Sequence, residues 1–458
     1  MIASDFLTES LKKLTWGESV CRILLAAIRA VDPAQAVHRY VQFRNGILHI
    51  SDRRYHLSQF RRIYLVGAGK AALPMANALV NLLDERITSG IIIVSDDQLQ
   101  TQSAKSLVNI EIYSGMHPIP DQRNILATKR VFELLAQTDD GDLVICLISG
   151  GGSALLTSPV SSVSLEDLQA LTATLLASGA DIREINVLRK HLDRAKGGNL
   201  ARLISPACMV TLILSDVVGD PLDVIASGPT VPDPTTYQDA LSILRKYDLV
   251  SKIPPGITEH LERGFLGEEM ETPKPGDQIF NNSQHLVIGS NYQAASAALR
   301  QAQIEGFQTL LISTYLQGEA RQVGRLLAAI ARQIDATGQP LPRPACLVAG
   351  GETTVSVKGE GKGGRNQEVA LGAVKDLDKV REAAIITLAT DGKDGPTDAA
   401  GAVVTGETFE RGMALGLDPQ EHLSHNDAYH YFAPLGDLLF TGPTQTNVSD
   451  LNFLFLCR

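Results

Sequence analysis

No run in this 458-residue chain approaches the ~20 consecutive apolar residues that a membrane span needs, so no spanning helix is expected. Cysteine is scarce: the five, at positions 21, 146, 208, 346 and 457, form no Cys-x-x-Cys pair. Cys146 and Cys346 sit inside apolar runs, where a thiol acts as a small core side chain. This usage indicates a reducing compartment, and the cytoplasm is the expected location. No basic run stands out and the net charge is −10, which opposes a polyanionic partner, because phosphate-backbone binding needs concentrated Lys and Arg. Nucleic acid is therefore not expected. The N-terminal stretch "MIASDFLTESLKKLTWGESVCRILLAAIRA" places Asp5 and Glu9 ahead of its basic residues with amphipathic spacing, and reads as a helix rather than a signal peptide. Aromatics make up 5% of the chain against 39 glycines, a composition of aliphatic strands joined by tight turns.

What is present is a repeated plan. "RIYLVGAGK", "GIIIVSDD", "LVICLISGGG", "MVTLILSDVVGD", "HLVIGSN", "ACLVAGGETT" and "AAIITLATDGKDG" are each a short β-rich run ending in Gly, Ser or Asp, with helical stretches between. Strands apolar throughout are buried on both faces, which predicts mainly parallel sheets covered by helices, an α/β fold. Ligands of such folds bind beyond the carboxyl ends of the strands, where these polar turns lie. The length predicts two domains, and the Pro-, Gly- and charge-rich stretch at 251–282 is the best boundary.

In "VGAGKAA", Gly67, Gly69 and Ala72 fit a loose G-x-G-x-x-A pattern, and Asp96 at the end of the next strand stands where a ribose acid would. Lys70 is the unusual member. It puts a point positive charge at a phosphate-facing turn, where a transferring phosphoryl group or a carboxylate would sit. A solvated lysine on a first helical turn is the bland alternative. In "SGGGSALL", Ser149, Gly150, Gly151, Gly152 and Ser153 offer backbone N–H groups to an anion, aided by the following helix N-terminus, unless the glycines only let strand and helix pack closely. Neither this motif nor "GEGKGGR" has Walker A spacing, so a P-loop enzyme is excluded. Asp216 and Asp220 follow a buried strand four residues apart, with Asp223 close behind, and could hold Mg²⁺ or orient a hydroxyl; singly, each could be a solvated turn acid. Arg365 follows two glycines at a helix start and can fork onto phosphate oxygens. Gly351, Glu352, Asn366 and Asp391, with its neighbour Asp394, add further strand-end or helix-start candidates for substrate or nucleotide contact. Arg189, Lys190 and Lys196 in "LRKHLDRAKGG" are candidate anion contacts, or a charged helix face. His422, His425 and His430 match no standard zinc spacing.

In order along the chain, "VGAGKAA", "GMHPIPD", "SGGGSALL", "INVLRKHLDRAKGGNLA", "SDVVGDPLDVIASGPT", "GGETTVSVKGEGKGGRNQE", "TDGKDGPTDAAGA" and "GPTQTNVSDL" resemble the glycerate 2-kinase family, whose C-terminal part is the MOFRL domain. The literal MOFRL string is not present, and "GRNQEVAL" is the nearest local segment. The resemblance implies ATP- and Mg²⁺-dependent phosphorylation of the 2-hydroxyl of D-glycerate. It implies two three-layer α/β/α domains, a Rossmann-like one over residues 1–275 and a MOFRL-type one over 276–458, with the active site in the cleft between them. The N-terminal helices are allowed to pack on the second domain. It further implies catalytic roles for Lys70, for Asp216 or Asp220 with Asp216 favoured, and for Arg365, and is compatible with a homodimer. The chief alternative is an NAD(P)H-dependent hydroxypyruvate reductase, with His117 as a general acid. A non-catalytic sensor of a phosphorylated metabolite is the other, and it leaves the aspartates and the arginine turn without a task.

Overall fold

The computed structural model describes residues 1–96, 98 and 107–457. It divides into two compact units, Ala36–Ile288 and Met1–Gln35 with Gly289–Arg458. The first 35 residues thus belong with the C-terminal part of the chain, and the division falls at 288/289 rather than at 275/276.

The unit Ala36–Ile288 opens with an antiparallel meander, β1 (Val41–Arg44), β2 (Ile47–Ile50) and β3 (Arg53–His56), whose first turn uses Asn45 and Gly46 at φ 51 and 77. Both positive angles suit the turn that matches strand twist. Its main sheet contains β4 (Arg62–Ala68), β5 (Ser89–Ser95), β6 (Ile110–Gly115), β7 (Asp142–Ser149), β8 (Cys208–Leu214) and β9 (Ser283–Gly289). The order is β6-β5-β4-β7-β8-β9, and the pairs β5/β6, β4/β5, β4/β7 and β7/β8 are all parallel. Counted from β4, this is 3-2-1-4-5-6, the Rossmann order. Every residue of β7 is buried, as a strand covered on both faces should be. The chain leaves β4 toward β5 on one side and returns on the other at β7. The switch point therefore lies beyond the carboxyl ends of β4 and β7, where the turns "GAGK" and "SGGG" meet.

The other unit carries β10 (Gln308–Leu316), β11 (Ala345–Gly351), β12 (Ala383–Ala389), β13 (Gly401–Thr405), β14 (Leu438–Leu439) and β15 (Asp450–Leu456), in the order β10-β11-β15-β12-β13-β14. Here the expectation of a mainly parallel sheet fails: β10/β11 is parallel, while β11/β15, β12/β15, β12/β13 and β13/β14 are antiparallel. The last strand inserts between β11 and β12 and runs against both. Apolar runs report burial on two faces, not strand direction. The helices Ala320–Thr337 and Arg365–Leu377 pack closely because each presents a glycine to the other. A Cβ on Gly324 would stand 1.9 Å from the Val369 carbonyl oxygen, and one on Gly372 2.4 Å from that of Arg321.

The N-terminal helix Gly17–Ala30 is tied to the end of the helix Asn291–Ile304 by Arg22, whose Nη2 is 2.8 Å from Glu305 Oε2. The guanidinium lowers the Glu305 carboxyl from 4.5 to about 2. A depressed carboxyl stabilises the fold above its unfolded pKa, and that contribution is lost as pH falls through the folded one. Because Arg22 is 45% exposed, Glu305→Gln is expected to cost only about 1 kcal/mol at pH 7. The difference from wild type should vanish between pH 4.5 and about 2, which thermal melts at pH 7 and at acid pH will show.

Candidate active site

The turn after β4 rests directly on the turn after β7. Gly69 has φ 128, and a Cβ there would stand 2.3 Å from Ser149 Oγ, so the position requires glycine. Ser149 is 1% exposed, and its Oγ accepts from Ala71 N at 2.9 Å. Lys70 N donates to Gly150 O at 2.8 Å. The Lys70 side chain passes the second turn as well, its Cγ 3.6 Å from where a Gly151 Cβ would be. Gly150 makes room for Asp216: a Cβ on it would lie 2.0 Å from Asp216 Oδ2. Gly151, at φ 82, faces the His117 ring, whose Cδ2 would stand 3.1 Å from a Cβ at this position. Lys70, Asp216 and His117 are thus gathered around Gly150 and Gly151 at the switch point of the sheet.

Two expectations for these glycines change. Gly67 lies within β4, where a Cβ would meet Ile92 Cδ1 at 2.8 Å, so it serves packing. The helix after the "SGGG" turn spans only Gly152–Leu155. A single turn sums too few peptide dipoles to matter, so the turn offers backbone donors and no helix field. Asp96 does not stand ready for a ribose either. Arg123 Nη1 and Nη2 fork onto its two carboxylate oxygens at 2.9 Å each, and this lowers its pKa.

The loop after β8 is braced from below. Asp220, Ala226 and Ser227 have φ 54, 50 and 61, conformations that cost non-glycine residues of order 1–3 kcal/mol each. Ser227 is fully buried and holds its place through Ser153 Oγ at 2.8 Å and Asn186 Oδ1 at 3.0 Å. The Ser153 side chain is thereby part of this brace. Lys190 is 2% exposed, with Nζ 3.2 Å from both Asp223 and Asp233, so it neutralises protein carboxylates and anchors the Asp220–Asp223 segment. Lys196, likewise buried, bonds Asp193 Oδ2 and the Leu156 carbonyl, at 2.9 and 2.8 Å. Arg189 is half-buried in the helix Ile182–Leu192, and desolvation lowers its pKa.

In the other unit Arg365 opens the helix Arg365–Leu377. Asp394, 1% exposed, caps that helix: Oδ1 accepts from Asn366 N at 3.0 Å and Nδ2 at 3.2 Å, and Oδ2 from Gln367 N at 2.8 Å. Burial raises its pKa in spite of these donors. Arg365 pairs with Glu352 and, through Nε at 2.5 Å, with Asp450 Oδ2. Asp450 is buried at the start of β15, and desolvation pushes its carboxyl up to about 7 although Arg365 pulls it down. Gly351 is a close-approach glycine at φ 150, where a Cβ would stand 2.1 Å from the Leu316 carbonyl oxygen. Asp391 accepts from Lys393 N at 3.0 Å within its own turn. Sequence reasoning passed over Asp450 and read Asp394 as a candidate for ligand contact, whereas its carboxylate caps the helix that Arg365 opens.

Residues 19–262 match the model of a domain of unknown function, DUF4147, and residues 345–450 that of the MOFRL family. D-glycerate 2-kinase of Thermotoga maritima is 42% identical over 443 residues, 97% of this chain and 98% of that one. The chain belongs to the glycerate 2-kinase family. Glycerate 2-kinase of Pyrococcus horikoshii is 41% identical over 94% of this chain and 95% of its own. The crystal structure of the Thermotoga maritima glycerate kinase superposes with a TM-score of 0.84 at 40% identity, covering 98% of this chain and all of that one. The family's two regions correspond to the glycine turns of the Rossmann sheet and to the sheet and helix that carry Arg365. Among the described residues no group of three or more His, Cys, Asp or Glu could hold a metal ion by itself.

Proposed function

We propose that the chain is an ATP-dependent kinase that transfers a phosphoryl group to the 2-hydroxyl of D-glycerate, giving 2-phospho-D-glycerate and ADP. The observation that carries this reading is the meeting of Lys70 and Asp216 around Gly150 and Gly151 at the switch point of the parallel sheet. Lys70 supplies positive charge for the transferring group, and Asp216 orients the attacking hydroxyl and accepts its proton as the bond to phosphorus forms. Gly150, Gly151 and Gly152 supply backbone donors to phosphate or carboxylate oxygens. Arg365, held by Glu352 and Asp450, serves as the second cation of the reaction. Asp216 and Asp220 offer hard oxygen ligands suited to Mg²⁺, and the glycine cradle at Gly150 leaves the Asp216 carboxylate room. With two protein carboxylates, the rest of such a shell would be water and phosphate oxygens, and the ion would neutralise phosphate charge.

His117 beside Gly151 favours one other reading, the NAD(P)H-dependent reduction of hydroxypyruvate, for which it would be the proton donor. The arms of one experiment separate the two. Purified protein with Mg²⁺ should form ADP from ATP only when D-glycerate is added, and should oxidise no NADH with hydroxypyruvate. The converse pattern would establish the reductase. No helix among the described residues is long and apolar enough to cross a membrane. Cys21, Cys146, Cys208, Cys346 and Cys457 are all free thiols, the state a reducing compartment maintains, and a cytoplasmic location is proposed on that ground.

A further inference from the structure

The segment "HLSHNDAYH", which has no role in the metal-site reading, packs on the glycine-rich loop that leads into Arg365. Asn426 holds a left-handed backbone at φ 54 and is 7% exposed. Its Oδ1 accepts from the backbone N–H groups of Lys358 and Gly359 at 2.7 and 3.0 Å. Its Nδ2 donates to Ser356 O at 3.3 Å and to Glu368 Oε2 at 3.1 Å. One side chain therefore joins the entry of the loop to the first turn of the helix that Arg365 opens. The seam continues along the loop, where Gly361 N donates to His425 O at 2.9 Å and Lys362 N to Asp427 Oδ1 at 2.8 Å. The glycines are required by it: a Cβ on Gly359 would stand 2.3 Å from His425 O, and one on Gly361 2.5 Å from Asp427 Cβ.

We infer that Asn426 is a positioning residue for phosphoryl transfer, fixing through Lys358, Gly359 and Glu368 the loop and helix start that place Arg365. The inference rests on the reading of Arg365 as a group that acts in the kinase reaction. The loop forms no helix or strand of its own; the clamp satisfies the N–H groups of Lys358, Gly359, Gly361 and Lys362, and so fixes the part of the loop nearest Arg365. A shift of about 1 Å in a reacting group lowers the rate by roughly 10²-fold.

Asn426→Gly tests this directly, because glycine keeps the left-handed backbone and removes both amide functions. The variant should lose roughly 10²-fold in kcat while KM for ATP and for D-glycerate stays within about threefold. The backbone amides of Lys358 and Gly359 should exchange with deuterium faster than in wild type. Asn426→Asp keeps the acceptor for the Lys358 and Gly359 N–H groups but sets a second carboxylate oxygen against Glu368 Oε2 and Ser356 O, so it should recover only part of the loss. Wild-type kcat in Asn426→Gly, or a loss explained in full by a smaller folded fraction, overturns the inference. If Asn426→Gly does not fold, Asp427→Ala, which removes the acceptor of the Lys362 N–H, takes its place: a clear fall in kcat at unchanged melting temperature supports the clamp, and wild-type kcat overturns it. A wild-type chain that fails to phosphorylate D-glycerate would sink the underlying kinase reading, whereas an active wild type with an unimpaired Asn426→Gly sinks this inference alone.

Discussion

Lys70→Ala is expected to lower kcat and kcat/KM together by roughly 10³–10⁵, the range that cationic groups acting on a transferring phosphoryl group are worth. The fold should survive the change. Lys70 joins the "SGGG" turn through its backbone N–H, a bond that alanine keeps, and replacing an ordinary partly exposed lysine shifts stability by less than about 0.5 kcal/mol. Lys70→Arg keeps the charge, but its planar head must fit beside Gly151, against which the lysine Cγ already packs. Arginine should therefore restore only part of the rate. Steady-state kinetics with both substrates, together with thermal melts of each variant, decide the matter. Full turnover in Lys70→Ala would return Lys70 to the status of a solvated side chain.

Arg365→Ala has two consequences that can be read separately. Turnover should fall by about 10³-fold or more if the guanidinium stabilises charge in the transition state. Stability should change in a pH-dependent way, because Asp450 loses the cation that holds its carboxyl down to about 7. A carboxyl whose folded pKa is raised binds more protons folded than unfolded, so stability is greatest below the unfolded pKa and falls as pH rises through the folded one. In Arg365→Ala that folded pKa moves above 7, and the decline with pH extends further upward. The variant should therefore lose more stability than wild type between pH 5 and pH 8. Broken buried pairs cost about 3–5 kcal/mol. Arg365 is 32% exposed, so the loss at pH 8 should fall below that range. Denaturant midpoints across this pH span check the sign, and a pH-independent difference from wild type would contradict the coupling.

The Rossmann half was largely legible in the sequence, since "RIYLVGAGK", "GIIIVSDD" and "LVICLISGGG" each declare a buried strand and a turn at its carboxyl end. What those turns do to one another was not. Nothing in the spacing of Gly69 and Ser149 says that one would press on the other, or that Gly150 is glycine because Asp216 lies against it. The C-terminal sheet was misread in direction because β15, at the very end of the chain, inserts between β11 and β12, and a long-range pairing leaves no local mark. Charge was the least legible property. Lys190 and Lys196 look like one face of a solvated or anion-binding helix, yet both are buried against aspartates that lie close by in the fold. Arg365 stood out by its glycines, while its partner Asp450 lay hidden in an apolar terminal strand.

The central claim is the position at which phosphate is placed, and one coupled assay reads it. The product formed from ATP and D-glycerate is supplied to enolase alone, and phosphoenolpyruvate is followed as it appears. Enolase removes water from 2-phosphoglycerate, so immediate formation of phosphoenolpyruvate is the result expected for transfer to the 2-hydroxyl. Formation only after phosphoglycerate mutase is added would show the 3-phosphate as product and contradict the account.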